Sequence, residues 1–346
     1  MIKYKSLLSV LLCFLLNFAY SQVHIDSKAF SKKAGASFQV SSGSLTINWP
    51  AGNSTKGRLI IDLETTKPLF KSIGLQEGSL FKQIATDLDP VFLLTIGKRD
   101  LVSQNGWNIF FDRVPLKPFT SYKVDFKKQD ATLSSVGSRT IVTIGTLSAA
   151  DFTGNIEITL YHGSPLINIA AVMSTQTDST AIVFDAGLIS KTMNWTDIAW
   201  SDVDNKMQSV KPALQDTSRN EAVKYRTIIG KTTGGSLAVF PGPHQYFYPL
   251  DEAFNLRFTW HGNEYRKMVD GYGIGIRQDL YGDNRFVPWF NAPPGTRQRM
   301  NFFCLLASAA PALALEEVKK FTHNDRYVAL PGYKTMSSHF HNEFIM

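Results

Sequence analysis

The chain has 346 residues, with 36 lysine and arginine residues against 29 acidic ones, a net charge of +7. This mild basic excess contains no run of lysine or arginine, which argues against a nucleic-acid-binding surface and leaves an acidic ligand possible. The length suits one large β-domain or two modest domains.

The first 21 residues have the pattern of a signal peptide. Two lysines provide a positive start, an apolar stretch covers residues 7–18, and Ala19 and Ser21 place small residues at the −3 and −1 positions of a cleavage site. The apolar stretch is shorter than the roughly 20 residues of a membrane-spanning helix. We therefore predict cleavage before Gln22, a secreted or periplasmic product, and no transmembrane segment after signal removal.

Removal of the signal changes both the charge and the cysteine content. It leaves 34 basic and 29 acidic residues, a net charge of +5, and Cys304 as the one cysteine of the mature chain. No internal disulfide can then form. Cys304 lies in an apolar strand, whereas a reactive thiol needs a partly open, electropositive setting, so we predict a packed thiol.

Short β-branched and apolar runs, separated by Gly, Pro and Asn, follow one another along the chain. Residues 121–126 alternate as a half-exposed strand should, and Gly137-Ser138 separates two runs as in a hairpin. There is no strand–helix rhythm, glycine-rich phosphate loop or fixed-period repeat. We therefore predict an all-β fold, a large antiparallel β-sandwich over residues 22–309. The runs are 45–49, 58–63, 91–96, 121–126, 131–136, 139–144, 155–161, 166–173, 181–184, 224–229, 236–240, 256–260 and 298–306.

One helix is predicted near the C-terminus. Pro311 opens it at a position that proline tolerates, and acidic residues precede basic ones along 312–321. We interpret 310–332 as a connecting helix and linker, and 333–346 as the start of a second domain. Because the chain stops soon after this element begins, we expect the sequence to be the leading portion of a longer protein or the product of a truncated gene.

The segment from 241 to 299 is rich in aromatic and basic residues. Sugars present apolar C–H faces rimmed by hydroxyls, so their sites combine flat rings with fixed polar groups. The alternative is structural: rings that cap strand edges and arginines that pair with carboxylates. The predicted carbohydrate-binding residues are His244, Tyr246, Trp260, His261, Glu264, Arg277, Trp289 and Arg297.

Histidine and glutamate in the same segment offer acid–base chemistry. His244 or His261, together with Glu264, could supply a general acid and a general base, because both residue types can be tuned to neutral pH. The sequence does not show that these side chains converge, so it assigns no catalytic residue and leaves open whether the chain is an enzyme.

A second candidate site lies at the C-terminal end. His339 and His341 are two residues apart, so in a strand both point to the same side. Two such imidazoles could begin a divalent-metal site (zinc, manganese or iron) that acidifies water into a nucleophile. Two ligands are not a complete site, however, and His-x-His also arises by chance in solvated tails.

The segment Asp151–Ile167 resembles the paired strands of galactose-mutarotase-like supersandwiches, and residues 289–296 are compatible with their closing loops. The resemblance covers roughly residues 38–309. It implies an accessory or substrate-binding domain of the kind found in secreted bacterial glycoside hydrolases and polysaccharide lyases. The catalytic His and Glu of mutarotases have no matching positions here, so epimerase activity is not implied. Residues 337–341 resemble the first metal motif of polymerase-and-histidinol-phosphatase-type proteins and amidohydrolases, on His339 and His341 alone.

These patterns favour one function and leave two others open. The favoured one is an exported β-sandwich module that binds or presents carbohydrate, as the N-terminal region of a larger hydrolase. The first alternative is a metal-dependent hydrolase with the His-x-His site, and the second is a non-catalytic envelope interaction module. The sequence indicates neither the sugar nor the oligomeric state.

Overall fold

The computed structural model describes residues 24–41, 43–52, 54–99, 114, 117–243, 257–281, 289–326 and 331–334. Almost all of the regular structure in these residues is β-strand, arranged in two large, mainly antiparallel sheets. The predicted all-β sandwich with one C-terminal helix is therefore confirmed. The predicted site residues His244, Tyr246, His339 and His341 lie outside the described residues.

The first sheet has ten strands, and all neighbours in it are antiparallel except the first two, which are parallel. In spatial order they are Ile25–Ala29 (β1), Asp125–Val136 (β8), Arg139–Ala149 (β9), Phe152–Tyr161 (β10), Leu166–Ser174 (β11), Gln298–Ala307 (β21), Gly235–Phe240 (β17), Ile228–Thr232 (β16), Asp197–Ser201 (β13) and Met207–Val210 (β14).

The second sheet has eleven strands and is antiparallel throughout its described pairs. In spatial order its main path is Arg219–Glu221 (β15), Thr259–Gly262 (β18), Tyr272–Ile276 (β19), Thr180–Ser190 (β12), Leu80–Lys98 (β6), Phe70–Glu77 (β5), Thr55–Asp62 (β4), Ser44–Pro50 (β3) and Ser37–Ser41 (β2). Two short strands complete it: Phe290–Asn291 (β20) pairs with β12, and Phe119–Lys123 (β7) pairs with β6.

The main core lies between the two sheets. Strand β3 shows why, since its residues alternate between buried and half-buried positions as a strand with one covered face must. Central strands such as β12 are buried along their whole length because both faces are covered. Cys304 faces this core at 1% exposure, and burial raises the pKa of its thiol, which confirms the predicted packed cysteine.

Helix α1, Pro311–Thr322, packs on the outer face of the ten-stranded sheet. Its buried residues Ala314, Leu315 and Val318 form a separate apolar cluster with side chains of β16 and β21, including Ile229 and Leu305. The helix that the sequence predicts is confirmed, and it lies against the sandwich as part of its packing. Among the described residues, none of the helices has the length and apolar character needed to span a bilayer.

Candidate functional site

The outer face of the eleven-stranded sheet carries both apolar side chains and a buried charge. Because side chains alternate along a strand, Phe184 and Leu94 point into the main core while Val183 and Asp185 of β12 point outward. Two apolar clusters cover this outer face. One contains Val91, Leu93, Ile189, Trp260, Tyr265 and Val269, and the other contains Val114, Ala181, Val183, Leu280 and Trp289.

Asp185 accepts hydrogen bonds from several elements at once. Its Oδ2 accepts from the Tyr265 hydroxyl at 3.0 Å and from Arg266 Nη1 at 3.1 Å, and its Oδ1 accepts from the Gln278 backbone N–H at 2.9 Å. The other Arg266 nitrogen, Nη2, donates to Ser121 Oγ at 2.7 Å. A carboxylate that is only 3% exposed needs such partners, so Asp185 ties β12, β7 and the segments around β19 together.

A strained turn places Tyr265 and Arg266 over the sheet. Glu264, Arg266 and Lys267 all have positive φ, at 51°, 54° and 55°, a conformation that costs non-glycine residues about 1–3 kcal/mol each. The Tyr265 ring stacks on the Trp260 ring, with centroids 4.1 Å apart and planes 9° apart. The stack and the bonds to Asp185 hold the turn in place.

The Trp260 ring also fits closely against the sheet below it. A Cβ atom at Gly275 would lie 2.4 Å from Trp260 Nε1, and one at Gly273 would lie 2.5 Å from the ring. The two glycines of β19 therefore leave room for the indole to lie on the strand. This arrangement makes Trp260 a packing residue between the sheet and the turn.

Burial of the Tyr265 phenol beside Asp185 raises its pKa well above the ordinary value of 10. The folded state therefore holds this proton more tightly than the unfolded state does, so the contribution of the phenol to stability is fully present below about pH 10 and is lost as the pH rises further. We expect the free energy of unfolding, measured with urea at a series of pH values, to fall above about pH 10, and Tyr265→Phe to make that fall shallower. Tyr281→Phe, at an exposed tyrosine, is the control. Equal slopes for Tyr265→Phe and the unmodified chain would contradict the assignment.

Six of the eight residues predicted to bind carbohydrate lie in the described part of the chain. Four of these six lie on the outer face of the eleven-stranded sheet. Trp260 and Trp289 are 1% and 6% exposed, so neither ring is available in this structure as a stacking surface for a sugar. Arg277 lies close to Asp185 and Tyr265, with Nη1 donating to the Arg257 carbonyl at 2.6 Å. Glu264 is exposed on the strained turn.

The other two described site residues lie elsewhere. His261 points between the two sheets, where its Nε2 lies 3.1 Å from Glu221 Oε1, its Nδ1 lies 3.2 Å from the Tyr272 hydroxyl, and its ring stacks on Trp200. The carboxylate that contacts His261 is therefore Glu221 of β15 and not the predicted partner Glu264, which lies beyond the end of β18 on the strained turn. Arg297 lies at the ten-stranded sheet, where it pairs with Glu157.

A cleft of about 550 Å³ opens beside the first apolar cluster, where β6 passes from its pairing with β5 to its pairing with β12. Val91 and Ile189 belong to both the cleft and the cluster. The lining residues are Thr65, Thr66, Lys67, Pro68, Asp87, Asp89, Pro90, Val91, Lys123, Val124, Asp125, Phe126, Lys128, Ile189, Ser190, Lys191 and Asp270. Four lysines and four aspartates thus surround a partly apolar surface.

Two of these charged groups are substantially desolvated. Burial raises the pKa of the Asp89 carboxyl, whose Oδ1 accepts a hydrogen bond from the Leu69 N–H at 2.7 Å. Burial lowers the pKa of the Lys128 amine, which donates to the backbone carbonyls of Glu64 and Lys67. Lys191 is already paired with Asp270 at 2.8 Å. The cleft therefore offers an acceptor and a donor whose charged forms are only partly solvated.

The sequence analysis did not predict Asp185, Asp89 or Lys128 as site residues. Asp185 is a single carboxylate inside an otherwise apolar strand, which is the signal that could have identified it. Asp89 and Lys128 are 39 positions apart, and the pairing of β7 with β6 brings their segments together. No group of three or more His, Cys, Asp or Glu suited to a metal occurs among the described residues. The metal site at His339 and His341 stays a prediction.

The fold and the cleft together define a large two-sheet β-sandwich with a ligand-sized space where β6 of the eleven-stranded sheet changes its pairing partner. A scan of protein-family models finds no match for this chain, and no curated protein matches it. Similar solved structures include the GH36 α-galactosidase AgaB from Geobacillus stearothermophilus, with 9% identity, a TM-score of 0.41, and coverage of 79% of this chain and 41% of that one.

Two further matches come from other carbohydrate-related proteins. A galactose mutarotase related enzyme from Lactobacillus acidophilus has 8% identity, a TM-score of 0.36, and coverage of 75% of this chain and 97% of that one. A glycosyl hydrolase family 38 protein from Enterococcus faecalis has 8% identity, a TM-score of 0.36, and coverage of 84% and 33%. The first of these two is named for galactose mutarotase, whose supersandwich family the segment Asp151–Ile167 resembles in sequence. This chain spans about two fifths of the length of the α-galactosidase.

Proposed function

We propose that this chain is a carbohydrate-binding β-sandwich module that holds a neutral sugar in the cleft beside Val91 and Ile189. The observation that carries the proposal is the lining: equal numbers of lysines, which only donate, and aspartates, which only accept when ionised, around an apolar surface. Sugar hydroxyls both donate and accept, and sugar C–H faces are apolar. A neutral polyhydroxylated ligand therefore matches this lining better than an ion of either sign.

Asp89 and Lys128 are the residues to test, because they are the desolvated acceptor and donor of the cleft. We expect the chain to bind at least one member of a panel of neutral galactose-, glucose- and mannose-based oligosaccharides in calorimetric titrations. Asp89→Asn and Lys128→Met should each weaken that binding about tenfold, the loss expected for one hydrogen bond to a charged group.

A matched pair of control variants is available on the other sheet. Lys231 and Asp197 form an ion pair at 3.5 Å on β16 and β13, and neither residue lines the cleft. Lys231→Met and Asp197→Asn should leave the titrations unchanged. Binding to no member of the panel, or equal binding by the cleft variants and the unmodified chain, would overturn the proposal.

Asp89→Asn carries a further expectation that concerns stability. Because burial raises the pKa of this carboxyl, its ionised form at neutral pH is less favourable in the folded state than in the unfolded state, and this penalty disappears as the pH falls. An asparagine keeps an oxygen that can accept the Leu69 N–H and carries no charge. We expect the Tm of Asp89→Asn at pH 7 to be at least that of the unmodified chain, in differential scanning calorimetry. A clear fall in Tm would show that the carboxylate has a structural role.

Export and a larger parent protein belong to the same proposal. The basis is the sequence of residues 1–21, together with the C-terminal His-x-His motif that implies a following hydrolase domain. Expression with the native N-terminus in a bacterium that has a periplasm, followed by N-terminal sequencing, should give a mature chain that begins at Gln22. An uncleaved chain that stays in the cytoplasm would count against export.

A metal-dependent hydrolase is the second proposal, and it rests on His339 and His341 in the sequence. The purified chain should then hold stoichiometric zinc, manganese or iron in elemental analysis, and His339→Ala with His341→Ala should release it. If neither the unmodified chain nor the double variant holds metal, the metal-dependent hydrolase proposal fails and the carbohydrate proposal remains.

A further inference from the structure

The outer face of the ten-stranded sheet carries a row of aromatic rings beside helix α1. The Phe240 and Phe303 rings lie 5.8 Å apart with planes 20° apart, and the Tyr161 ring lies 6.1 Å from Phe303. Phe240 is covered within the cluster that packs against α1, whereas Tyr161 and Phe303 are half-buried. An apolar strip therefore runs from the helix across β21, β11 and β10.

A fixed group of polar side chains adjoins this strip. Glu157 on β10 is held by two arginines: Arg297 Nη2 donates to its Oε1 at 2.9 Å, and Arg299 Nη1 donates to its Oε2. Arg299 Nη2 also donates to Asn168 Oδ1 at 2.9 Å, and Asn168 Nδ2 donates to Asn301 Oδ1 at 2.8 Å.

The two asparagines in this group are unusually well buried for the outer face of a sheet. Asn168 is 2% exposed and Asn301 is 5% exposed, and a buried amide is costly unless its hydrogen bonds are made. Here the made bonds fix the plane of the Arg299 guanidinium. The arrangement resembles a preorganised binding surface, in which a second set of residues locks the contacting side chain.

The charge of this face is positive. Arg139 lies opposite Tyr161 in the β9–β10 register, so three arginines lie around the strip with Glu157 as their counter-charge. Arg297 is 72% exposed and Arg299 is 36% exposed, so both keep donors that face solvent. Planar guanidinium groups bind carboxylates through paired hydrogen bonds.

We propose that this ring-and-arginine face, defined by Tyr161, Phe303, Arg139, Arg297 and Arg299, binds a polysaccharide of uronic acids. The rings contact the C–H faces of the sugars, and the guanidinium groups bind their carboxylates. A sugar polymer fits better than an acidic peptide because the aromatic strip lies directly beside the charged groups. This site is separate from the cleft on the other sheet and does not depend on it.

Affinity electrophoresis in polygalacturonate tests the proposal, with fully methyl-esterified polygalacturonate as the matched uncharged polymer. We expect retardation of the chain by the acidic polymer and little by its ester, with a fall in affinity as salt rises. Arg297→Gln should weaken the interaction about tenfold, the loss expected for one charge-assisted hydrogen bond. Lys231→Gln, at a partly exposed cation on the same sheet but outside the face, should have no effect.

Three outcomes would overturn the proposal. They are equal retardation by the acid and the ester, unchanged retardation of Arg297→Gln, and binding of polyglutamate as strong as that of polygalacturonate, which would indicate an acidic peptide. Arg297 is largely exposed, so its variant should fold, and a circular dichroism spectrum checks this. The calorimetric titrations with neutral oligosaccharides report on the cleft and the retardation by acidic polymer reports on this face, so failure here and failure of the cleft proposal are distinguishable.

Discussion

Trp260→Ala should lower the free energy of unfolding by about 3–5 kcal/mol, the range for removal of a large buried aromatic side chain. The indole is enclosed on both faces: Tyr265 stacks on one side, and the glycine backbone of β19 lies against the other. A cavity there would also release the strained turn, because the stack helps to hold Glu264 and Arg266 at positive φ. Urea unfolding followed by fluorescence and circular dichroism would measure the change.

Two companion variants make this result specific. Gly275→Ala should also destabilise the fold, since the added Cβ would lie 2.2 Å from the Ala186 carbonyl and 2.4 Å from Trp260 Nε1. Tyr281→Ala removes a ring that is 84% exposed and should change stability by less than about 0.5 kcal/mol. A Trp260→Ala variant as stable as Tyr281→Ala would contradict the packing role. Any loss of sugar binding in Trp260→Ala should therefore be interpreted together with its stability.

Asp325→Ala should cost about 3–5 kcal/mol, the range for removal of one partner from a buried ion pair. Arg226 and Asp325 are 1% and 4% exposed, and Asp325 Oδ1 accepts from Arg226 Nη2 at 2.8 Å. Asp325 Oδ2 also accepts from the Arg226 backbone N–H at 2.7 Å. Without the carboxylate, a buried guanidinium loses the negative charge of Asp325 and the Arg226 backbone N–H loses this acceptor.

This ion pair also bears on where the sandwich ends. Asp325 follows α1, so the pair anchors the segment after the helix to the loop before β16. We expect Asp325→Ala, but not the exposed Glu317→Ala on α1, to shift the urea midpoint of the whole sandwich in one cooperative transition. If α1 were only a connection to another domain, the sandwich would unfold at its usual midpoint in both variants.

Much of the fold follows from local sequence. Alternation of apolar and polar residues predicts the strands, Gly137-Ser138 predicts the β8–β9 turn, and Pro311 predicts the start of α1. These features depend on the few residues within each element, because backbone geometry fixes a period of two in a strand and 3.6 in a helix. The same reasoning predicts the packed thiol of Cys304, which lies within an apolar strand.

Which residues of the candidate site are exposed depends on tertiary structure. Alternation shows that a strand has two faces, but it does not show which face another element will cover. The sequence thus predicts Trp260 and Trp289 as ligand contacts, whereas a turn and a second cluster bury them.

The same limit applies to charged groups that meet over long distances in sequence. Asp185 accepts a hydrogen bond from Arg266, which lies 81 positions later in the sequence. The cleft is lined by segments that range from Thr65 to Asp270. The sequence by itself determined the β-strands, the helix and the kinds of residue available for a sugar site. Which of those residues reach solvent was decided only when the sheets assembled, because pairing between distant strands sets both burial and charge proximity.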